Sequence, residues 1–363
     1  MAVHLVSPEH YDDQLADKVA TIERAFAPLD IPAIEVFDSP KSHYRLRAEF
    51  KIWQEDGRAH YAMYEKGEYK KPYIIDGFPV GAERINQLMP RLLAEINANE
   101  TLRKKLFSAE FLTTLSGDAL ITLLYHKPLD EQWEQAARVL RTSLGVDLIG
   151  RSRKQKITLE RDYVNETLSV DGKPFHYKQI EGGFTQPNGA VCEKMLAWAV
   201  AASKGCSGDL LELYCGNGNF TLPLAQNFDR VLATEISKTS VEAALHNAEL
   251  NRIENVAIAR MSSEEFTQAM DKVRPFRRLA HIDLDSYHFS TLFVDPPRAG
   301  LDPDTLALAQ RFERIIYISC NPHTLLDNLQ GLSNSHKVDR FAVFDQFPYT
   351  DHLECGAILS RRD

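Results

Sequence analysis

Four short apolar stretches in the second half of the chain, LLELYCG, VLATEIS, TLFVDPP and YISCNP, each break off at a glycine or polar turn, with helical patterns between them. Apolar runs of this length alternating with helices are strands of a parallel sheet covered on both faces. Ligands of such sheets bind beyond the carboxyl ends of the strands. The residues where the runs end are therefore the first candidates for chemistry. They are Gly216 and Gly218 after the first strand, Glu235 at the end of the second, Asp295 after the third and Cys320 after the fourth.

The first half is patterned differently. Leu15, Val19, Ile22 and Phe26 recur at helical spacing, whereas Leu46, Ala48, Phe50 and Ile52 alternate with Arg45, Arg47, Glu49 and Lys51 as in a half-buried strand with a mainly basic face. FLTTLSGDALITLLYH reads as a hairpin turning at Ser116-Gly117-Asp118, and ETLSVDGKPFHYK as another turning at Asp171-Gly172. Between them a helix starts near Asp130, and the run GRSRKQK brings together Arg151, Arg153, Lys154 and Lys156. A solvated loop and a phosphate-contacting edge both account for that run. The composition shifts near Gln179 to Gly183, which predicts two domains, a strand-rich α+β domain over 1–179 and an α/β domain over 180–363.

Composition excludes several classes. With 44% hydrophobic and 26% charged residues, and no apolar run long enough to span a bilayer, the pattern is that of a water-soluble globular protein. The opening MAVHLVSPEHYDDQLADKV lacks a charged-then-apolar leader, so the expected compartment is the cytoplasm. Five scattered cysteines, none in C-x-x-C, argue against a disulfide framework, a structural metal or an iron-sulfur cluster. A net charge of -9 means that any nucleic-acid contact has to use a local basic patch.

Cys320 stands between an apolar strand and the helical pattern TLLDNLQGL. Asn321 suits an N-cap and Pro322 a first helical position, so the thiol is expected beside a helix N-terminus, whose amides and partial charge favour a thiolate. The turn Gly216-x-Gly218 is a weak signal alone. Thr221 replaces the third glycine of the dinucleotide fingerprint, and Glu235 suits the ribose of either NAD or S-adenosylmethionine. An NAD oxidoreductase would leave Asp295-Pro296-Pro297-Arg298 without a role.

Taken in order, FTQPN, LLELYCGNGNF, FVDPPR, YISCNP and FPYTDHLECG resemble the motifs of the S-adenosylmethionine-dependent RNA 5-methyluridine methyltransferases, and SHYRLRAEF, LTTLS and LLYHK in the first half are similar to the tRNA-acting branch. The resemblance implies a Rossmann-like class I methyltransferase domain, with a mostly parallel seven-stranded sheet, behind an RNA-binding domain. It implies methyl transfer to C5 of uridine 54 in the T loop of tRNA through a covalent adduct of cysteine with C6. Residue by residue, it makes Cys320 the nucleophile, Glu354 the general base, and Gln186, Tyr214, Gly216, Gly218, Asn219, Glu235 and Asp295 the contacts to S-adenosylmethionine. Arg298, Phe107 and His126 become RNA contacts, and Lys51 stands where an arginine would be expected. The implied partner is the tRNA T arm, with no membrane and no obligate protein partner. The cysteine cluster and extra β-barrel of related 23S rRNA enzymes are missing, which favours tRNA. Methylation of rRNA or another T-loop-like RNA, and a module that chiefly binds or folds RNA, remain the alternatives.

Overall fold

The computed structural model describes residues 6–65, 67 and 72–362. The first five residues of the stretch read for a leader lie outside them. Contacts divide the chain into two units, one of residues 1–11, 40–167 and 179–190, the other of 12–39, 168–178 and 191–363. A single cut after residue 179 therefore does not describe the partition. Helix α1 (Tyr11–Phe26) and strand β1 (Ile34–Phe37) belong almost wholly to the second unit, for a plain reason of burial. The apolar stripe of α1 ends in Phe26, whose ring packs 4.9 Å from Phe341, and β1 pairs in parallel with the strand that carries Phe341.

The first unit is built on a seven-stranded sheet. Its strands are β2 (Arg47–Glu55), β3 (Arg58–Met63), β4 (Tyr73–Ile74), β5 (Leu106–Thr113), β6 (Ala119–Tyr125), β7 (Asp147–Ser152) and β8 (Gln155–Thr158), in the order β4-β3-β2-β5-β6-β7-β8. Helices α2 (Glu83–Ala98), α3 (Glu100–Arg103) and α4 (Glu131–Leu144) accompany it. The alternation read in YRLRAEFKIW holds, with Ala48, Phe50 and Ile52 buried on one face of β2. The hairpin at Ser116-Gly117-Asp118 is β5 to β6, and Asp130 caps α4 by accepting from the Trp133 amide. The turn at Asp171-Gly172 joins β9 (Tyr163–Val170) to β10 (Lys173–Ile180), a hairpin divided between the two units.

The second unit is a Rossmann-like layer structure. Its helices are α5 (Gly189–Ser203), α6 (Thr221–Leu224), α7 (Lys238–Leu250), α8 (Ser263–Met270), α9 (Pro303–Ala309) and α10 (Pro322–Leu332), and its strands after β1 are β11 (Asp209–Leu213), β12 (Val231–Glu235), β13 (Val256–Arg260), β14 (Phe289–Val294), β15 (Arg314–Ser319), β16 (His336–Phe344) and β17 (Glu354–Arg361). The sheet order is β1-β16-β17-β15-β14-β11-β12-β13. Seven of these strands form the expected mostly parallel sheet, with β17 antiparallel to both neighbours. The eighth, β1, comes from the N-terminal segment. Trp198, Leu210, Phe293, Ile316, Phe344 and Ile358 belong to the core of this unit. Among the described residues, no helix is long and apolar enough to cross a membrane.

Candidate active site

Strand register brings the second unit's candidates to one edge. Leu213 pairs with Thr234 and with Val294, and Val294 pairs with Tyr317, so β11, β12, β14 and β15 end nearly level. Tyr214, Glu235, Asp295 and Cys320 are at or just beyond those ends. Because β17 runs the other way, its first residue reaches the same edge: Ser319 pairs with Cys355, and Phe344 with Glu354. The segment DQFPYTDHLECGAILSRR is a loop, residues 345–353, followed by the single strand β17, since β16 ends at Phe344 before it begins. Cys355 is fully buried in the sheet and serves packing.

The protonation states at this edge are set by burial. Glu354 is 5% exposed, and desolvation with help from the charge of Asp295 raises its carboxyl to about 8, while Arg298 pulls the other way. Burial raises Asp295 to about 7. Cys320 is half-buried, and desolvation followed by the charges of Glu354 and Asp295 pushes its thiol up to about 11. The sequence suggested the opposite, a thiolate favoured by the helix N-terminus. The helix is there, with Asn321 as N-cap accepting from the His323 amide and Pro322 opening the first turn. Desolvation and two nearby carboxyls outweigh Arg298 and a backbone hydrogen bond, the influences that lower the thiol.

The loops around the thiol are tied together by Asn321. While its Oδ1 caps α10, its Nδ2 donates to the carbonyl of Arg298 at 2.8 Å, and Thr324 Oγ1 donates to the same carbonyl at 3.2 Å. The D-P-P-R loop and the start of α10 are therefore joined through the Arg298 carbonyl. Further along, Leu301 donates to Asn328 Oδ1, which also accepts from the buried Tyr317 hydroxyl. The Arg298 side chain is exposed, with Nη2 3.3 Å from Nδ1 of His352.

At the ends of β11 and β12, a cavity of about 410 Å³ is lined by Tyr214, Glu235, Ile236, Met261, Ser263 and Pro297. Tyr214 has a positive φ of 63° and donates its hydroxyl to Ser263 Oγ at 2.8 Å. Glu235 accepts the amides of Gly216 and Ser237, one on each carboxylate oxygen, which fixes the carboxylate and leaves lone pairs for a ligand. Gly216 and Gly218 both have positive φ, and a Cβ at Gly216 would meet open space. This donor set fits an adenosine-containing ligand: a carboxylate for ribose hydroxyls, a flexible apolar surface from Ile236 and Met261 for a base, and a glycine turn that admits close approach. Asn219 is turned toward the protein, its Nδ2 3.4 Å from Cys192 Sγ and its carbonyl accepting the Tyr177 hydroxyl.

Glu212 was not singled out from sequence. It is buried on β11 with Oε2 lacking a hydrogen-bond partner among the described residues, and burial, with Asp295's charge added, raises it to about 8. A glutamate between leucines in an otherwise apolar strand, four residues before Gly216, is the signal that could have found it.

The first unit holds the other candidates. Phe107 and His126 stack with ring centroids 4.1 Å apart, and Lys51 Nζ lies 3.1 Å from the Phe107 centroid. With Trp53, Lys104 and Lys105 they line a groove of about 450 Å³. Lysine at position 51 thus makes a cation–π contact with the ring. Much of the basic character read from sequence is neutralised: Arg47 pairs with Glu110, Arg151 with Glu181 and Lys156 with Asp162, while Arg153 and Lys154 are exposed. Gln186 belongs to the first unit, in the segment 179–190. Nearby Phe184 is 76% exposed, an aromatic that the sequence reading also passed over.

A chain from Cellvibrio japonicus named tRNA/tmRNA (uracil-C(5))-methyltransferase is 63% identical over 352 residues, covering 97% of this chain and 96% of that protein. One of the same name from Saccharophagus degradans is 62% identical over 357 residues, covering 98% of each. The fold is shared with the crystal structure of Pyrococcus abyssi tRNA (uracil-54, C5)-methyltransferase in complex with S-adenosyl-L-homocysteine, at a TM-score of 0.73 and 21% identity over 96% of this chain and 83% of that one. The family model described as tRNA (Uracil-5-)-methyltransferase matches residues 10–362, nearly the whole chain, and the chain belongs to that family.

Proposed function

We propose that this protein transfers a methyl group from S-adenosylmethionine to C5 of uridine 54 in the T loop of tRNA, through a covalent bond between Cys320 and C6 of the uracil. The observation that carries the reading is the meeting of Cys320, Glu354 and Asp295 at one sheet edge, next to a cavity suited to an adenosine. The names of the relatives support tRNA as the substrate class, and such a substrate favours the cytoplasm.

Uracil C5 is a poor nucleophile. Addition of the Cys320 thiolate to C6 moves the C5–C6 π electrons onto C5 and O4 as an enolate, which makes C5 able to attack an electrophilic methyl. S-adenosylmethionine, when bound, supplies that methyl as part of a sulfonium. Glu235 and Tyr214 would hold it, with Gly216 and Gly218 giving it room. Glu354 then takes the proton from C5, the C6–S bond breaks, and its electrons leave with sulfur as the C5–C6 double bond is restored.

A resting thiol near 11 means a thiolate population of about one in 10⁴ at pH 7. Arg298 is placed to offset charge at this edge, since it lowers both Cys320 and Glu354. It would stabilise the enolate by donating to a uracil oxygen. An Arg298→Lys variant with full activity would contradict that role, because lysine lacks the planar fork. For the RNA, the Phe107–His126 stack offers a face for a base displaced from the loop, with Lys51, Lys104 and Lys105 near its phosphates.

The test is incubation with methyl-labelled S-adenosylmethionine and unmodified tRNA transcript, followed by nuclease digestion and mass spectrometry. Label in 5-methyluridine from the T loop is expected. Label found only with rRNA would keep the chemistry and change the substrate, and tight tRNA binding without label on either RNA would point to a binding module.

A further inference from the structure

Helix α1 reaches the loop that leads into Glu354. The Lys18 ammonium has three N–H donors, and all three are used there: Asp345 Oδ1 at 2.8 Å, the Phe347 carbonyl at 3.0 Å and the His352 carbonyl at 3.1 Å. The Lys18 side chain is 8% exposed and that of Asp345 is fully buried, so this is a built tripod and not a surface pair. One turn earlier on the same helix, Gln14 Oε1 accepts the Tyr349 amide at 2.7 Å. Tyr349 is buried with a φ of 61°, a conformation that a non-glycine residue keeps only where its surroundings hold it.

The loop so held begins directly after β16 and ends directly before Glu354. It also carries His352, whose ring faces Arg298 at 3.3 Å. A side chain more than 300 positions away in sequence thus contacts both ends of the loop that leads into Glu354. The contact needs an ammonium specifically, because one carboxylate and two carbonyls present only acceptors.

We propose that Lys18 is a positioning residue for the second half of the reaction, holding loop 345–353 so that Glu354 meets the methylated base in register. This rests on the reaction assigned above. Without the tripod, the loop moves and proton removal from C5 slows, while thiol addition and RNA binding, which depend on β15 and on the first unit, are retained. An enzyme that adds but cannot deprotonate stays bonded to its RNA.

The test uses the full chain and tRNA transcript. Lys18→Met alone strands the buried Asp345 carboxylate and can cost folding. The informative variant is therefore Lys18→Met with Asp345→Asn, which leaves no buried charge unpaired, alongside Gln14→Ala. For the double variant the expected result is a Tm near that of wild type, tRNA affinity within twofold, kcat reduced at least tenfold, and accumulation of an RNA–protein adduct that survives denaturing electrophoresis. Gln14→Ala should show the same pattern more weakly. Wild-type kcat in the folded double variant would overturn the proposal, and so would a fall in kcat accompanied by lost tRNA affinity or by no adduct. Failure of the underlying reaction is seen separately, as an absence of methylation by the wild-type protein, and takes the inference with it.

Discussion

Ser319 and Cys355 are paired residues in the antiparallel contact of β15 with β17, and this pairing sets Cys320 and Glu354 at adjoining strand ends. The thiol's environment reports the closeness, because the Glu354 carboxylate is one of the charges that raise it. In the reaction proposed above, sheet register sets the spacing of the two groups, and the loop before β17 sets the orientation in which Glu354 meets the base.

The first consequence concerns pH. In the proposed reaction both groups act as anions, and both are raised, Glu354 to about 8 and Cys320 to about 11. Turnover is therefore expected to climb as pH rises from 6.5 through 8 and beyond. The apparent value belongs to the interacting group that includes Asp295. Steady-state kcat across pH 6.5 to 9 measures this, and a profile that falls over that range would contradict the assignment.

Stability has the opposite slope. An unfolded glutamate ionises near 4.3, whereas the buried Glu354 holds its proton to about 8. Between those values the folded state binds more protons than the unfolded one, so stability falls as pH rises. Glu354→Gln removes that cost. The variant is expected to be more stable at pH 8 by roughly 2–5 kcal/mol, with the gain shrinking as pH falls toward 4.5. Thermal unfolding of both proteins at the two pH values checks it.

Removing the Phe107 or His126 ring by substitution with alanine should weaken tRNA binding by roughly tenfold to a hundredfold, corresponding to about 1–3 kcal/mol for one stacked base. Affinity for S-adenosylmethionine, measured by calorimetry, should be unchanged. Lys51→Ala should cost less, since it supports the stack from one side.

Asn321→Ala should cost about 1 kcal/mol of stability as a lost N-cap. It should also lower kcat by more than that loss explains, because the same side chain ties the Arg298 loop to the cysteine loop. Comparing the Tm shift with the change in kcat separates the two effects.

Much of this site was legible in the sequence because strand ends in a parallel sheet are marked by abrupt changes of polarity. Cys320 with its Asn-Pro cap, Glu235 after VLAT and Asp295 after TLFV all fall where those changes placed them. The single domain boundary was less legible. Whether an amphipathic helix such as α1 packs on the nearer or the farther sheet depends on long-range partners like Phe341, which periodicity does not reveal. The state of the thiol was misread for a similar reason. A helix N-terminus is visible in sequence, whereas the burial and the two acids that oppose it arrive from β14 and β17 through the fold. Lys18 was invisible as a positioning residue because its three acceptors lie on the far side of the chain, two of them backbone carbonyls.

The most direct measurement is mass spectrometry of the protein after incubation with S-adenosylmethionine and tRNA, using Glu354→Gln to trap the intermediate and Cys320→Ala as its control. The expected result is a methylated uridine attached to the peptide containing Cys320 in Glu354→Gln and absent from Cys320→Ala. An unmodified Cys320 peptide in Glu354→Gln, while wild type methylates the tRNA normally, would contradict covalent catalysis by this cysteine.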